Sequence, residues 1–235
     1  MTVPVNCDLL TVNFMLVPKR VDTPELLDEE NAPRADVDRS LRDLRRFNRF
    51  FGGGSVYRHL LRRMAPDLRQ PLSIIDLATG SADVLESLPA HWIRVGVDFK
   101  IEHLLYMRDG SRVHRVAGEA LHLPFRTGAV DVVTSAHFFH HLSPEANVAM
   151  LREALRTARR GVIVNDTRRH YVPLLVTRLL AMLHLVGKIT RNDAPASILR
   201  GYTLREAKEI AAKVDASRTE VVRAWPFRFG LLLWR

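Results

Sequence analysis

Four short stretches of the sequence place small residues, carboxylates and histidines where they could hold a small molecule. In the first, residues 76–83, small side chains at positions 78, 80 and 82 allow a ligand to approach the backbone closely. A dinucleotide site would use three glycines here to admit a pyrophosphate, and only Gly80 is present. The loop therefore favours a cofactor without a pyrophosphate over a nicotinamide dinucleotide, although taken alone it is a weak signal.

Two acids follow in the second and third stretches. Asp98 comes twenty-two residues after Asp76, where a carboxylate can accept hydrogen bonds from both ribose hydroxyls. It could instead cap a helix that begins near Lys100. Glu119 and Ala120 precede an apolar Leu-Pro-Phe turn, a combination that suits an adenine. The carboxylate would accept from the exocyclic amine and the Ala120 N–H would donate to a ring nitrogen, unless Glu119 is simply a surface acid.

The fourth stretch, residues 135–142, contains three histidines and two phenylalanines. This composition indicates a place for an aromatic or apolar substrate. His140 and His141 are candidates for handling a proton, with a purely structural role as the alternative. Adjacent histidines point in different directions and no nearby carboxylate completes a ligand set, so we predict that no metal binds here.

Short apolar runs alternating with amphipathic helices must position these stretches. The strand-like runs are residues 72–77, 93–97, 113–116, 130–135 and 161–166. This alternation predicts a parallel sheet covered on both faces, with ligands bound beyond the carboxyl ends of the strands. Two final runs, 219–225 and 227–234, are linked so tightly around Pro226 that they must be antiparallel.

Helix signals flank the strands. Amphipathic patterns predict helices over 38–51, stopped by glycines 52–54, and over 55–64 with Ser55 as the cap. Ser143-Pro144-Glu145 begins a later helix, and a capping box of Thr203 and Glu206 begins another. Residues 1–38 hold several prolines and an acidic patch, which predicts an irregular arm.

Composition narrows the classes of function. A single cysteine excludes an internal disulfide framework. The apolar run 179–187 falls well short of the roughly 20 residues of a membrane span, and we find no signal peptide at the N-terminus. A formal net charge of +9 would suit nucleic acid or an anionic surface, but the arginines are spread over many helices. We expect a cytoplasmic protein with no transmembrane segment and no nucleic-acid partner.

In their order along the chain, these stretches resemble the class I S-adenosylmethionine-dependent methyltransferases. Within them, the chain is most similar to the small-molecule branch related to the ubiquinone/menaquinone C-methyltransferases (methyltransferase type 11). The resemblance covers roughly residues 40–235. It is carried by Ile-Ile-Asp-Leu-Ala-Thr-Gly-Ser-Ala-Asp (74–83), Val-Gly-Val-Asp (95–98), Gly-Glu-Ala-Leu-His-Leu-Pro-Phe (118–125), Val-Asp-Val-Val (130–133) and His-His-Leu (140–142).

The resemblance implies an α/β fold: a doubly wound, mostly parallel, seven-stranded Rossmann-like sheet with an antiparallel last strand and helical lid elements. The methyltransferase domain would span 39–235, with N-terminal helices at 39–65 and a lid insertion at about 168–202. Residues 1–38 would be the irregular arm. A homodimer is compatible with this organisation.

The resemblance also implies S-adenosyl-L-methionine as the cofactor and assigns residues to each of its parts. The departures from the family pattern are Ala78 and Ala82 in place of the usual glycines, and Glu119 where Asp is commoner. The implied contacts are Asp76, Ala78 and Gly80 with the methionine part, Asp98 with the ribose, Glu119 and Ala120 with the adenine, Ser135 and Ala136 with the rest of the methionine pocket, and Phe99 with the cofactor more generally.

The implied reaction is methyl transfer to a small, largely apolar acceptor through a phenol, enol or quinol-like oxygen or carbon. Positioning supplies much of the rate gain, and a general base helps because a phenol has a pKa near 10. His140 and His141 are our catalytic candidates, with Asp166 and His170 also near strand ends. Phe138 and Phe139 would contact the acceptor. The apolar stretch 171–186 would form a pocket wall, a core helix or a dimer surface.

Two other functions stay open at this point. An RNA-modifying methyltransferase would suit the net charge of +9. However, the enzymes of this family that methylate base amines carry an Asn/Asp-Pro-Pro-aromatic motif after the fourth strand, where this chain has Ser-Ala-His-Phe. A non-catalytic protein that retains the fold is the second alternative, because fold does not determine function.

Overall fold

The computed structural model describes residues 17–28, 33–50, 53–108 and 110–235. Within them, seven strands form one sheet in the order β3-β2-β1-β4-β5-β7-β6. The order reverses between β1 and β4, and this reversal opens a crevice at the carboxyl ends of these strands. The strands are β1 Ser73–Leu77, β2 Ile93–Asp98, β3 His114–Ala117, β4 Val130–Ala136, β5 Ala158–Thr167, β6 Arg218–Ala224 and β7 Arg228–Trp234.

Helices cover both faces of the sheet because successive strand residues point to opposite sides. The helices are α1 Arg34–Phe50, α2 Gly53–Met64, α3 Asp83–Glu86, α4 Ile101–Leu105, α5 Pro144–Thr157, α6 Tyr171–Met182, α7 Lys188–Arg200 and α8 Leu204–Ala211. Ile75 belongs to a core shared with α5 and α8, whereas its neighbour Ile74 packs into a second core with α2, α3 and α4.

The predicted architecture is confirmed. Strands β1 to β5 are mutually parallel where they pair, and β7 pairs antiparallel with both β5 and β6. The capping box is present, with Thr203 Oγ1 accepting from the Glu206 N–H and Glu206 Oε2 accepting from the Thr203 N–H. The Ser143 hydroxyl likewise accepts from the Ala146 N–H at the start of α5.

The N-terminal helices differ from the prediction at their ends. The first begins at Arg34, four residues before the predicted start at 38, and the second begins at Gly53 instead of after a Ser55 cap. Glycine is tolerated in a first turn, where the N–H groups have no intrahelical partner. Phe51 and Gly52, which the prediction placed at the end of the first helix, lie outside the described residues. None of the described helices has the length and apolar character needed to cross a bilayer.

Gly161 allows β5 to pack closely between β7 and α2. A Cβ atom added at this position would overlap the carbonyl oxygen of Leu233 and lie 2.7 Å from Cε of Met64. Because the Leu233 oxygen belongs to β7, it cannot move without disturbing the β5–β7 ladder. The close packing of β5 against β7 and α2 therefore requires glycine at position 161.

We expect Gly161→Ala to lower the free energy of unfolding by about 2–3 kcal/mol, since overpacking against the backbone is costly. Urea denaturation followed by circular dichroism measures this change. Gly54→Ala in α2 is the matched control, because the nearest atom to its added Cβ is 3.7 Å away and alanine favours a helix by up to about 1 kcal/mol. Equal stabilities of the two variants would contradict the packing argument.

Candidate functional site

A cleft of about 440 Å³ lies at the crevice where the strand order reverses. Loops after β1, β2, β3 and β4 form its floor, and the N-terminal arm and α7 form its opposite wall. The cleft brings together most of the residues that the sequence predicted as a site. Those that line it are Asp76, Ala78, Gly80, Asp98, Phe99, Ala120, Ala136, His140 and His141.

Left-handed backbone conformations shape the loop after β1. Ala78, Gly80 and Ala82 have φ values of 51°, 53° and 58°. Such conformations favour glycine. This preference explains why the family that the sequence resembles usually has glycine at positions 78 and 82. Alanine is the smallest residue with a Cβ atom and keeps the loop narrow. The loop thus retains the close backbone approach that the sequence predicted.

Asp76, the penultimate residue of β1, is a buried carboxylate at the cleft. Its Oδ1 accepts a hydrogen bond of 2.7 Å from the Thr134 hydroxyl. Burial, opposed by hydrogen bonds from Thr134 and Thr79, raises the pKa of Asp76 to about 7. A positively charged ligand group nearby would favour the ionised form of this carboxyl.

Asp98 joins two of the loops. Its Oδ2 accepts from the Gly80 N–H at 2.9 Å, and its Oδ1 accepts from the Lys100 N–H at 3.0 Å. The alternative role of Asp98 as a helix cap is not found, because the N-cap of α4 is Lys100 itself and no side chain caps this helix. Asp98 therefore fixes the loop after β1 against the start of α4, and its carboxylate also borders the cleft. Phe99 beside it is 77% exposed.

Two of the predicted cofactor contacts do not line the cleft. Glu119 is exposed, with its Oε2 3.5 Å from Nδ1 of His122. Ser135 is fully buried within β4, while the next residue, Ala136, reaches the cleft. The alternation of side chains along a strand separates these two neighbours.

His140 is held between two carboxylates. It lies on the 3₁₀ turn Phe139–His141 after β4, and its Nδ1 is 2.8 Å from Oδ1 of Asp166 on β5. Its Nε2 is 3.4 Å from Oε1 of Glu25 in the N-terminal arm. Burial lowers the pKa of His140, but the charges of Asp166 and Glu25 outweigh it and raise this pKa to about 9. Burial likewise raises the pKa of Asp166, and His140 outweighs it and lowers this pKa to about 2.

His141 occupies the cleft wall next to Phe138. The two rings are stacked, with centroids 6.1 Å apart. Nδ1 of His141 is 3.4 Å from Nη1 of Arg200 on α7, and its Nε2 is 3.8 Å from Oε1 of Glu25. An aromatic face, an imidazole and a carboxylate therefore meet at one point of the cleft.

The prediction that Phe139 contacts a substrate is wrong. Phe139 is fully buried, with its ring centroid 5.2 Å from that of Tyr202 and 6.0 Å from that of Phe229. Consecutive side chains in this tight turn point to opposite sides, so that Phe138 faces the cleft while Phe139 enters the core.

Sequence reasoning missed Glu25 and Arg200. Glu25 is buried in an arm predicted to be irregular, and no periodicity marks it. The arm is fixed by hydrogen bonds from the Leu26 and Leu27 N–H groups to the Asp193 carboxylate, and by Arg20, which donates to the backbone oxygen of Arg200. A buried acid in a proline-containing arm gives no local signal, because its partners are more than a hundred residues away.

Glu25, His140 and His141 also form a possible metal ligand set. One ligand atom from each lies within 4.8 Å of the others. The sequence predicted no metal here because it offered no nearby carboxylate, and the fold supplies one from the arm. However, Nη1 of Arg200 is 4.0 Å from Oε1 of Glu25. The guanidinium already places a positive charge at this carboxylate and opposes the binding of a cation.

The apolar stretch 171–186 does not form a wall of the cleft. Within α6 only Leu174 is buried, and Leu175, Leu179 and Leu183 are exposed. His170 caps α6, its Nδ1 accepting from the Val172 N–H at 3.1 Å. The second helix of the predicted insertion, α7, instead borders the cleft through Ser197 and Arg200.

The raised pKa of His140 makes stability depend on pH. Its charged form stabilises the fold fully below the ordinary histidine pKa of 6.5, and this contribution is lost as pH rises through about 9. We expect His140→Gln to lower the free energy of unfolding by about 3 kcal/mol near pH 6 and by much less above pH 9. Urea denaturation across this range measures the difference. His59→Gln, at an exposed position on α2, is the control. If His140→Gln lowered the free energy of unfolding equally at every pH, the raised pKa of His140 would be contradicted.

Comparisons with known proteins agree with this geometry. Residues 74–161 match a family model described as a methyltransferase domain. No curated protein sequence matches the chain. One similar solved structure is an S-adenosylmethionine-dependent methyltransferase from Aquifex aeolicus, 18% identical, with a TM-score of 0.54, covering 75% of this chain and 88% of that one.

Two further structures contain bound S-adenosylhomocysteine. Magnesium protoporphyrin IX methyltransferase from Synechocystis is 15% identical, with a TM-score of 0.60 and coverage of 86% of this chain and 95% of that one. A plantazolicin methyltransferase, BpumL, in complex with a triazolic analogue is 11% identical, with a TM-score of 0.67 and coverage of 88% and 92%. At these identities the likeness establishes the fold. Residues 74–161 therefore match a methyltransferase domain, and the described part of the chain has the fold of these S-adenosylmethionine-dependent methyltransferases.

Proposed function

We propose that the chain transfers a methyl group from S-adenosyl-L-methionine to a small, largely apolar acceptor, as in the small-molecule branch that it resembles. The reacting atom would be a phenol, enol or quinol-like oxygen or carbon. The observation that carries the proposal is a single cleft that joins the loops after β1 and β2 to Phe138, His140 and His141. The similarity to a magnesium protoporphyrin IX methyltransferase and a plantazolicin methyltransferase supports a small-molecule acceptor.

The residues at the floor of the cleft fit this cofactor. The buried Asp76 carboxylate, with its pKa of about 7, suits the ammonium group of the methionine part. The narrow turn through Ala78 and Gly80 leaves room for the methionine part of the cofactor. Asp98 would accept hydrogen bonds from the ribose hydroxyls. Ala120 and Ala136 would border the adenine and the methionine, and Phe99 would cover the cofactor. The bound cofactor supplies a methyl group already activated on a sulfonium.

Proton handling falls to the two histidines in different ways. Because its pKa is about 9, His140 carries a proton at neutral pH and cannot readily accept another. His141 lies beside it, faces the cleft and approaches Glu25 and Arg200. We assign His141 as the group that accepts the acceptor's proton, and His140 as a positioning residue that fixes the turn through Asp166.

Glu119 and Ser135 contribute less directly in this scheme. The exposed Glu119 would contact the adenine only if its side chain turned towards the cleft, and the buried Ser135 would act through the backbone of β4. The adenine therefore depends chiefly on the backbone of Ala120.

Asp98→Ala should weaken binding of S-adenosylhomocysteine by about 1.5–3 kcal/mol, since charge-assisted hydrogen bonds to the ribose are lost. Titration calorimetry measures the affinity. Asp98→Asn tests whether the effect comes through the loop, because the amide keeps one acceptor for the Gly80 or Lys100 N–H but lacks the charge. Parent-like affinity in Asp98→Ala would exclude the ribose contact.

His141→Gln should lower kcat by about 10²–10⁴-fold and remove the fall in rate at low pH, because a general base is lost. His140→Gln should retain that fall and change kcat less. The assay follows methyl uptake from labelled S-adenosylmethionine by a panel of lipid-like phenols and quinols, with cofactor affinity measured in parallel. The reverse pattern would make His140 the base. Methyl uptake by tRNA and by none of the phenols or quinols would favour the RNA-modifying alternative.

A further inference from the structure

Helix α6 presents an apolar face that nothing in the described part of the chain covers. We call this face the α6 surface. Leu175 is 70% exposed and Met182 67% exposed, although both are large apolar side chains. Contiguous exposed apolar areas of this kind mark sites of interaction. The α6 surface consists of Leu175, Val176, Leu179 and Met182 on α6 and of Leu183 and Leu185 directly after it.

The turn between β6 and β7 extends this surface. The ring of His170, which caps α6, lies 5.0 Å from that of Phe227, and the Phe227 ring lies 6.4 Å from that of Trp225. Trp225 is 81% exposed. An exposed tryptophan therefore stands close to the start of an exposed apolar helix.

Positive charge accompanies the apolar residues. Residues 168–192 contain five Lys and Arg residues and no Asp or Glu, and four of the five are not buried, since Arg169 is buried and paired with Glu206. Arg178 is exposed on α6 itself, and the guanidinium of Arg168 lies over the Phe227 ring, 5.7 Å from its centroid. Burial and the nearby charge of Arg223 both lower the pKa of Arg168. The formal net charge of the whole chain, +9, has the same sign.

We propose that the α6 surface binds the headgroup–acyl boundary of an anionic lipid bilayer. A helix lying in that boundary buries its apolar side chains, its arginines attract anionic headgroups, and tryptophan prefers the same depth. A second copy of the chain fits less well, because a two-fold contact would bring the same arginines of both copies together.

The placement of α6 connects this surface to the cleft. Helix α6 packs against α7, and α7 contributes Ser197 and Arg200 to the cleft. A bilayer bound at α6 would therefore lie one helix away from the cleft. Lipid binding goes beyond the transfer reaction. Because it is measured without cofactor or acceptor, the lipid-binding proposal can fail independently of the proposed function.

The test is co-sedimentation of the full chain with vesicles. Vesicles of equal parts phosphatidylglycerol and phosphatidylcholine should bind the parent, binding should fall as salt rises, and pure phosphatidylcholine should bind much less. Leu175→Asp should weaken binding by more than about tenfold, because the burial of a leucine is lost. Arg178→Gln should weaken binding to the anionic vesicles by about fivefold.

Leu105→Asp is the matched control, since Leu105 on α4 is 68% exposed and lies outside the α6 surface. Its vesicle binding should equal that of the parent. The emission of Trp225 should shift to shorter wavelength with anionic vesicles. This shift should disappear in Trp225→Ala, because Trp92 is buried and Trp234 is half-buried on β7 beneath the Arg218 guanidinium. Equal vesicle binding by Leu175→Asp and the parent would overturn the proposal. So would a parent dimer that Leu175→Asp dissociates while neither protein binds vesicles.

Discussion

His140 and its two carboxylates connect three parts of the chain that are distant in sequence. The imidazole lies on the turn after β4, Asp166 is the penultimate residue of β5, and Glu25 belongs to the arm. A buried charge without partners would cost several kcal/mol, so each member is tolerated only because the others are in place. The turn that carries Phe138 and His141 into the cleft is thereby fixed. The position of the arm over the cleft depends on the same contacts.

The order of the strands determines why these groups can meet. Parallel strands bring all their carboxyl ends to one edge, and the reversal between β1 and β4 leaves a gap there that helices do not fill. Asp98 and Asp166 both stand at this edge but have different partners. Asp98 accepts from backbone N–H groups of two loops, whereas Asp166 is paired with an imidazole. One carboxylate therefore organises the cofactor side of the cleft and the other organises the side where we place the acceptor.

The two helices after β5 serve different purposes although they are adjacent. Helix α7 faces inwards, binds the arm through Asp193 and reaches the cleft through Arg200. Helix α6 uses Leu174 to pack and leaves most of its apolar side chains in contact with solvent. Exposure of this kind lowers solubility without stabilising the monomer, which is why an external partner is the simplest physical explanation for it.

The sequence by itself determined the sheet, the terminal hairpin and the position of the cleft, because strand burial, capping residues and tight turns are local properties. It also pointed to Asp76, Asp98 and His141, since each lies at or soon after the carboxyl end of a predicted strand. Tertiary structure alone decided that Phe139 is core, that Ser135 is buried and that Glu25 joins the histidines. These outcomes depend on which way a side chain points in an irregular turn and on a contact between residues more than a hundred positions apart. Neither leaves a periodic pattern in the sequence, because loop conformation and long-range pairing are fixed only when the whole core packs.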